Sequence, residues 1–201
     1  MKKILFILGT RPEAIKLVPL IREVKIRKEF QPLVCVTGQH REMMRSVLES
    51  FSLSPDIDLD LMSHNQSLIS LSTLLIQKCG EVISGINPIF VVVQGDTTTA
   101  AMAALAAFYL KVQVCHVEAG LRTWNRFSPY PEEVNRKIIG GLADLHFVTT
   151  ENNKTNLLEE RVLNKDIYVV GNTVIDSLKI VSESNFPIKN KQFATFMSRS
   201  L

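Results

Sequence analysis

Two hundred and one residues, 46% of them hydrophobic and 21% charged, with a formal charge of +3, make a chain of ordinary globular composition. Disorder, collagen and coiled coil are excluded. A chain of this length buries roughly 70% of its unfolded surface, so a core forms without a disulfide framework. Cys35, Cys79 and Cys115 are odd in number, far apart and set among apolar neighbours, as suits buried thiols in a reducing compartment. No dense Lys/Arg stripe with interleaved aromatics offers a nucleic-acid surface.

In chain order, Met1 to Leu8 starts like a signal peptide, but its apolar run is too short. It is closed at once by Gly9-Thr10-Arg11-Pro12-Glu13, so a buried strand over 3–8 explains it better. Pro12 opens a helix with Ile15, Val18, Ile21 and Val24 on one stripe and an expected kink at Pro19. A strand at 32–37, a helix at 41–51, a weaker extended piece near 57–59 and a helix at 67–86 capped by Ser67 follow. Next come a strand at 88–93 and an Ala-rich helix at 97–110, the small residues of which predict close packing on a sheet. The longest uncharged apolar stretch, 100–110, falls short of the ~20 residues that span a bilayer, so no membrane partner and a cytoplasmic location are expected. A strand at 113–116, helices at 132–142 and 151–159, and strands at 145–148 and 167–170 complete the pattern.

Most of these strands are apolar on both faces, which belongs to a parallel sheet covered by helices on both sides. The predicted fold is α/β, a Rossmann-like doubly wound parallel sheet over residues 1–180. Residues 181–201 are polar and interrupted by Pro187, with Phe186, Phe193 and Phe196 out of period, and read as a frayed helix or tail.

In such a sheet ligands bind beyond the carboxyl ends of the strands. Polar and ionisable groups gather at four strand exits: Gly9 to Lys16, Gly38-Gln39-His40-Arg41, Gln94 to Thr99, and His116 to Thr123. A fifth cluster, Pro129 to Arg136, ends a long loop and opens a helix. Each has a bland reading: Asp96 as a helix cap, Glu132 as a dipole partner, Arg11 as a solvated charge. Five together point to a binding site. Neither GxGxxG nor GxxxxGK[ST] occurs, which removes the main support for nicotinamide cofactors and P-loop chemistry. One histidine per loop, His40 and His116, is too diffuse a set for a metal, and no GxSxG elbow offers an acyl nucleophile. What remains is Arg11 and Lys16 beside two or three carboxylates, groups that suit proton transfer at carbon while a phosphorylated leaving group departs.

The motifs Gly9-Thr10-Arg11-Pro12-Glu13-Ala14-Ile15-Lys16, Val36 to Met43, Gly95-Asp96-Thr97-Thr98-Thr99, His116-Val117-Glu118-Ala119-Gly120-Leu121-Arg122-Thr123, Pro131 to Arg136 and Gly171 to Asp176 resemble those of the bacterial non-hydrolysing UDP-N-acetylglucosamine 2-epimerases, over about residues 1–180. The resemblance implies interconversion of UDP-N-acetylglucosamine and UDP-N-acetylmannosamine through C2 deprotonation, elimination of UDP to a glycal and re-addition, without metal or other cofactor. It makes Asp96, Glu118 and Glu132 the catalytic carboxylates and Arg11, Lys16 and Arg136 the substrate-binding cations. Gln39, His40 and Glu42 match the region where some relatives bind a second, activating UDP-sugar.

The same family implies a homodimer, a role in cell-surface polysaccharide biosynthesis and the two-domain architecture of GT-B glycosyltransferases. The chain ends where the second domain of that architecture would begin, so little turnover is expected of this half alone. Two other readings stay open: a GT-B glycosyltransferase-like domain, and a non-catalytic module that binds sugar nucleotide or dimerises.

Overall fold

The computed structural model describes residues 1–38, 41–61 and 66–183, with the backbone alone for 41–45. Strand β1 (Lys2–Leu8) leads into α1 (Arg11–Arg27), then β2 (Phe30–Val36), α2 (Arg41–Ser50) and the two-residue β3 (Ile57–Asp58). Helix α3 (Leu68–Ile86), β4 (Phe90–Gln94), α4 (Thr98–Tyr109) and β5 (Gln113–Ala119) follow, then α5 (Glu132–Leu142), β6 (Leu145–Val148), α6 (Glu151–Glu159), β7 (Ile167–Val169) and α7 (Val174–Ser182). The strands form one sheet in the order β3-β2-β1-β4-β5-β6-β7, and every pairing is parallel.

Successive residues of each strand feed opposite faces. Leu5, Ile7, Val91, Val93 and Val114 pack with α3, α4 and α5, while Ile4, Phe6, Leu8, Val92 and Val117 pack with α1 and α2. This is why the strands read as continuous apolar runs. Six buried alanines of α4, from Ala100 to Ala107, bring that helix close to the sheet, as their size predicts. Because strand order reverses between β1 and β4, α1 and α4 leave the sheet on opposite faces. The crevice between their starts is the switch point at which such folds bind ligands.

The buried face of α1 is Ala14, Leu17, Val18 and Ile21, with Ile15 and Val24 only partly buried, one position off the expected stripe. Pro19 lies inside a continuous helix. Lacking an N–H, it leaves the carbonyl of Ile15 without its usual partner, and the Ser177 hydroxyl of α7 donates to that carbonyl instead. Strand β5 runs three residues past the expected end at His116, with a register shift at Glu118, and β2 begins two residues earlier than expected, at Phe30. Of the frayed helix or tail expected over 181–201, Val181 and Ser182 end α7, and the residues beyond 183 lie outside the described residues.

Candidate functional site

Glu118 sits at the bulge of β5 with φ +63°, a left-handed conformation that costs a non-glycine residue free energy and is retained where the surroundings demand it. The twist turns its side chain back toward the switch point. There its Oε2 meets Lys16 Nζ at 2.5 Å and accepts the Gln94 amide at 2.9 Å. Lys16 comes from the second turn of α1 and Gln94 from the last residue of β4, so one carboxylate oxygen joins three elements. Oε1 carries no hydrogen bond among the described residues and is open to solvent.

Asp96 repeats this arrangement. Its Oδ2 takes Arg136 Nε at 2.9 Å and Nη2 at 2.5 Å, which leaves Oδ1 open. The bland alternative for Asp96, a cap of the next helix, does not hold: Thr97 is the cap, its hydroxyl accepting from Ala100 N at 3.0 Å. Arg136 is pinned from its other side by Glu133 at 2.9 Å, and Asn135 donates to the Asp96 carbonyl. Buried Glu133 also accepts the backbone N–H groups of Thr123 and Trp124, so it anchors the loop before α5. Burial would raise its carboxyl, but those bonds and Arg136 outweigh that and hold it below the usual range.

Glu132 opens α5, where a helix dipole favours a carboxylate, yet its Oε2 is buried with no hydrogen-bond partner among the described residues. Arg11 is exposed at the first residue of α1 and makes no ion pair among the described residues. Of the nine candidate residues, Lys16, Asp96, Glu118 and Arg136 are thus joined in ion pairs at one sheet edge. Glu132 and Arg11 stand on helix first turns at that edge. Gln39 and His40 lie outside the described residues, and of Glu42 only the backbone, in α2, is described.

His116 is buried and donates through Nε2 to the Gly95 carbonyl at 2.7 Å, assigning the proton to Nε2 from the contact it makes. Burial drives its pKa down to about 3, the Gly95 contact opposing, so the ring is neutral and holds the Gly95-Asp96 turn. Among the described residues no group of three His, Cys, Asp or Glu side chains is arranged to hold a metal ion. The three cysteines are free and buried, and burial pushes Cys79 and Cys115 up to about 12, far from thiolate reactivity.

Some participants were not singled out from the sequence. Glu13 had a readable signal, the Thr10-x-x-Glu13 spacing of a capping box, and Glu133 to Arg136 is a readable helical pair. The Gln94 contact to Glu118 and the Arg122 fork on Glu160, at 2.8 and 2.6 Å, join residues 24 and 38 positions apart and left no local signal.

A parallel α/β sheet with ionised groups gathered at its switch point defines a Rossmann-like ligand-binding domain. Comparison with known proteins narrows the class. The family model for UDP-N-acetylglucosamine 2-epimerase matches residues 22–198. A UDP-N-acetylglucosamine 2-epimerase of Campylobacter jejuni is 47% identical over 193 residues, covering 94% of this chain and 50% of the relative. One from Salmonella borreze is 50% identical over 180 residues, covering 90% and 48%. The crystal structure of the Neisseria meningitidis enzyme bound to UDP-GlcNAc superposes with a TM-score of 0.89 at 44% identity, covering 99% of this chain and 53% of that one. The chain belongs to the UDP-N-acetylglucosamine 2-epimerase family, and it spans about half the length of the relatives it matches.

Proposed function

We propose that this chain is the amino-terminal half, residues 1–180, of an enzyme that interconverts UDP-N-acetylglucosamine and UDP-N-acetylmannosamine. The observation that carries the reading is the shared arrangement of Asp96 and Glu118, each with one oxygen tied to a cation and the other open, beside Glu132 with an unpartnered oxygen. Tethering one oxygen orients the carboxylate, and the open oxygen is the face that takes or returns a proton. In the proposed reaction a carboxylate removes the C2 proton, the C1–O bond to UDP breaks, and the electron pair forms the C1=C2 bond of a glycal. UDP then adds back at C1 while C2 receives a proton on its opposite face, so the reaction is an isomerisation with no redox partner. Arg11, Lys16 and Arg136 are the cations available to the departing diphosphate. The bound UDP-GlcNAc in the Neisseria meningitidis relative supports the substrate class. The reading includes a cytoplasmic homodimer in which a second domain closes over this edge.

The test is proton NMR of UDP-GlcNAc in heavy water with the 201-residue chain. The expected result is shifted uridine and sugar signals on binding, with little deuterium at C2, because the chain supplies only part of the site. Absence of any binding overturns the reading. Rapid C2 exchange with appearance of UDP-N-acetylmannosamine would instead show a complete site within this chain and refute the half-site component.

A further inference from the structure

Glu13 is the third residue of α1, a place where acidic side chains ordinarily face water, yet it is 1% exposed. Its Oε2 accepts the backbone N–H groups of Gly9 at 3.0 Å and Thr10 at 2.6 Å, and its Oε1 accepts the Thr97 hydroxyl at 2.8 Å. Among the described residues no cation pairs with it. Burial pushes its carboxyl up, and hydrogen bonds from Thr10, Thr97 and Gly9 oppose the shift without cancelling it. A buried carboxylate held by neutral donors alone is costly, and Thr10 as N-cap can open the helix without it.

The two segments it joins are the ones that carry the proposed chemistry. Gly9 and Thr10 lead directly into Arg11 and Lys16, and Thr97 follows Asp96 as the cap of α4. The segments also touch elsewhere: a Cβ on Gly9 would lie 2.3 Å from the Thr99 hydroxyl oxygen, so only glycine permits the approach. Glu13 therefore spans the crevice between β1 and β4 at its base.

We propose that Glu13 is a positioning residue that locks the Arg11–Lys16 turn against the Asp96–Thr97 turn and so sets the spacing between the cations and carboxylates that receive the UDP-sugar. The inference rests on the reading given under Proposed function. It has a corollary for specificity. In dinucleotide-binding Rossmann folds, backbone N–H groups of the first strand-to-helix turn receive the pyrophosphate. Here Gly9 and Thr10 already give theirs to Glu13, so this turn does not offer those two N–H groups to a diphosphate, and exposed Arg11 stands beside them without an ion pair among the described residues.

The test uses the isotopically labelled 201-residue chain and the variants Glu13→Gln, Thr97→Val and Thr97→Ser, with UDP as the probe, well below every melting temperature. Glu13→Gln replaces an acceptor by an amide that faces donors, and it leaves the α4 cap intact. Thr97→Val removes the donor from the other side together with the cap bond to Ala100, so it is read only beside the Glu13 variant, and Thr97→Ser restores both. The expected result is displacement of the Lys16 and Asp96 amide signals in Glu13→Gln and Thr97→Val, with UDP affinity at least tenfold weaker, while Thr97→Ser stays within twofold of the parent. If Glu13→Gln does not fold, Glu13→Asp, which keeps the carboxylate and the α4 cap but is too short to join both segments, decides in its place. A lower melting temperature with folded-state UDP affinity within twofold of the parent would assign Glu13 to stability only and overturn the proposal. A parent chain that binds no UDP refutes the functional reading instead. Positioning is then judged by the amide signals, and a disturbance confined to residues 9–14 overturns it.

Discussion

Asp96 and Glu132 are both carboxylates at the sheet edge, but their surroundings assign them opposite relations to stability. Asp96 Oδ2 is the acceptor for two nitrogens of Arg136, itself nearly buried, so Asp96→Asn weakens a charge-assisted pair and costs about 1–3 kcal/mol. Glu132 holds a buried oxygen with no partner among the described residues, a group whose desolvation no hydrogen bond offsets. Glu132→Gln is therefore expected to melt at or slightly above the parent temperature, and Asp96→Asn clearly below it. In a complete two-domain enzyme built on this chain, both substitutions should lower turnover by at least ~100-fold. Calorimetry on the 201-residue chain and NMR turnover on the proposed two-domain enzyme check the two parts separately. Near-normal turnover in either variant removes that residue from the catalytic set. The pattern matches the general trade in which a site keeps a poorly satisfied group that stability alone would discard.

Helix α7 shows most clearly where sequence reading ends. Val174, Ile175, Leu178 and Val181 remain exposed, and of its large apolar residues Ile180 packs, partly buried, against the core. Its hold on the domain includes a hydrogen bond from Ser177 to a carbonyl that is available because Pro19, 158 positions earlier in the chain, has no N–H. Proline was legible as a local interruption, but its tertiary partner was not. Strand β5 fails for a related reason: Glu118 looks like loop because a charged residue closes the apolar run, whereas the bulge keeps it in the sheet at positive φ. The sheet, the Ala-rich helix and the Ser67 cap were readable because period, size and cap chemistry are local properties. The Ser177 contact gives a prediction at this scale. Ser177→Ala should cost about 1–2 kcal/mol by leaving the Ile15 carbonyl unpaired. In a Pro19→Ala background the new N–H satisfies that carbonyl, so the same substitution should cost only a few tenths of a kcal/mol. Urea unfolding of the four proteins checks the cycle, and equal costs in both backgrounds would show that Ser177 and Pro19 are uncoupled.

Across the whole molecule, the ionised edge is mounted on a core that itself holds two histidines, paired in register as His116 on β5 and His146 on β6. Each has a buried Nδ1 with no hydrogen-bond partner among the described residues, and burial lowers both below the ordinary histidine value, His116 to about 3. The unfolded chain takes up a proton on each near pH 6.5, whereas the folded chain resists it. Between pH 6.5 and the folded values the unfolded state binds more protons, so stability falls as pH falls, by up to about 1.4 kcal/mol per pH unit for each histidine. Glu13 works against this slope. Its folded value is raised, so its contribution is complete below about 4.5 and is lost as pH rises through the folded value. Glu133, held low, adds to the acid loss only below about 4.5. Between pH 6.5 and 4.5 the two histidines therefore act against Glu13 alone, and their effect reaches the site because His116 holds the Gly95 carbonyl beside Asp96. Unfolding free energies at pH 7, 6 and 5 should fall steadily for the parent chain. His116→Gln, which keeps a donor for Gly95 and cannot ionise, should be less stable at pH 7 yet show a visibly flatter decline. An unchanged slope would mean that His116 is already protonated in the fold or stays neutral when unfolded, and the first of these would contradict the buried, single-donor geometry.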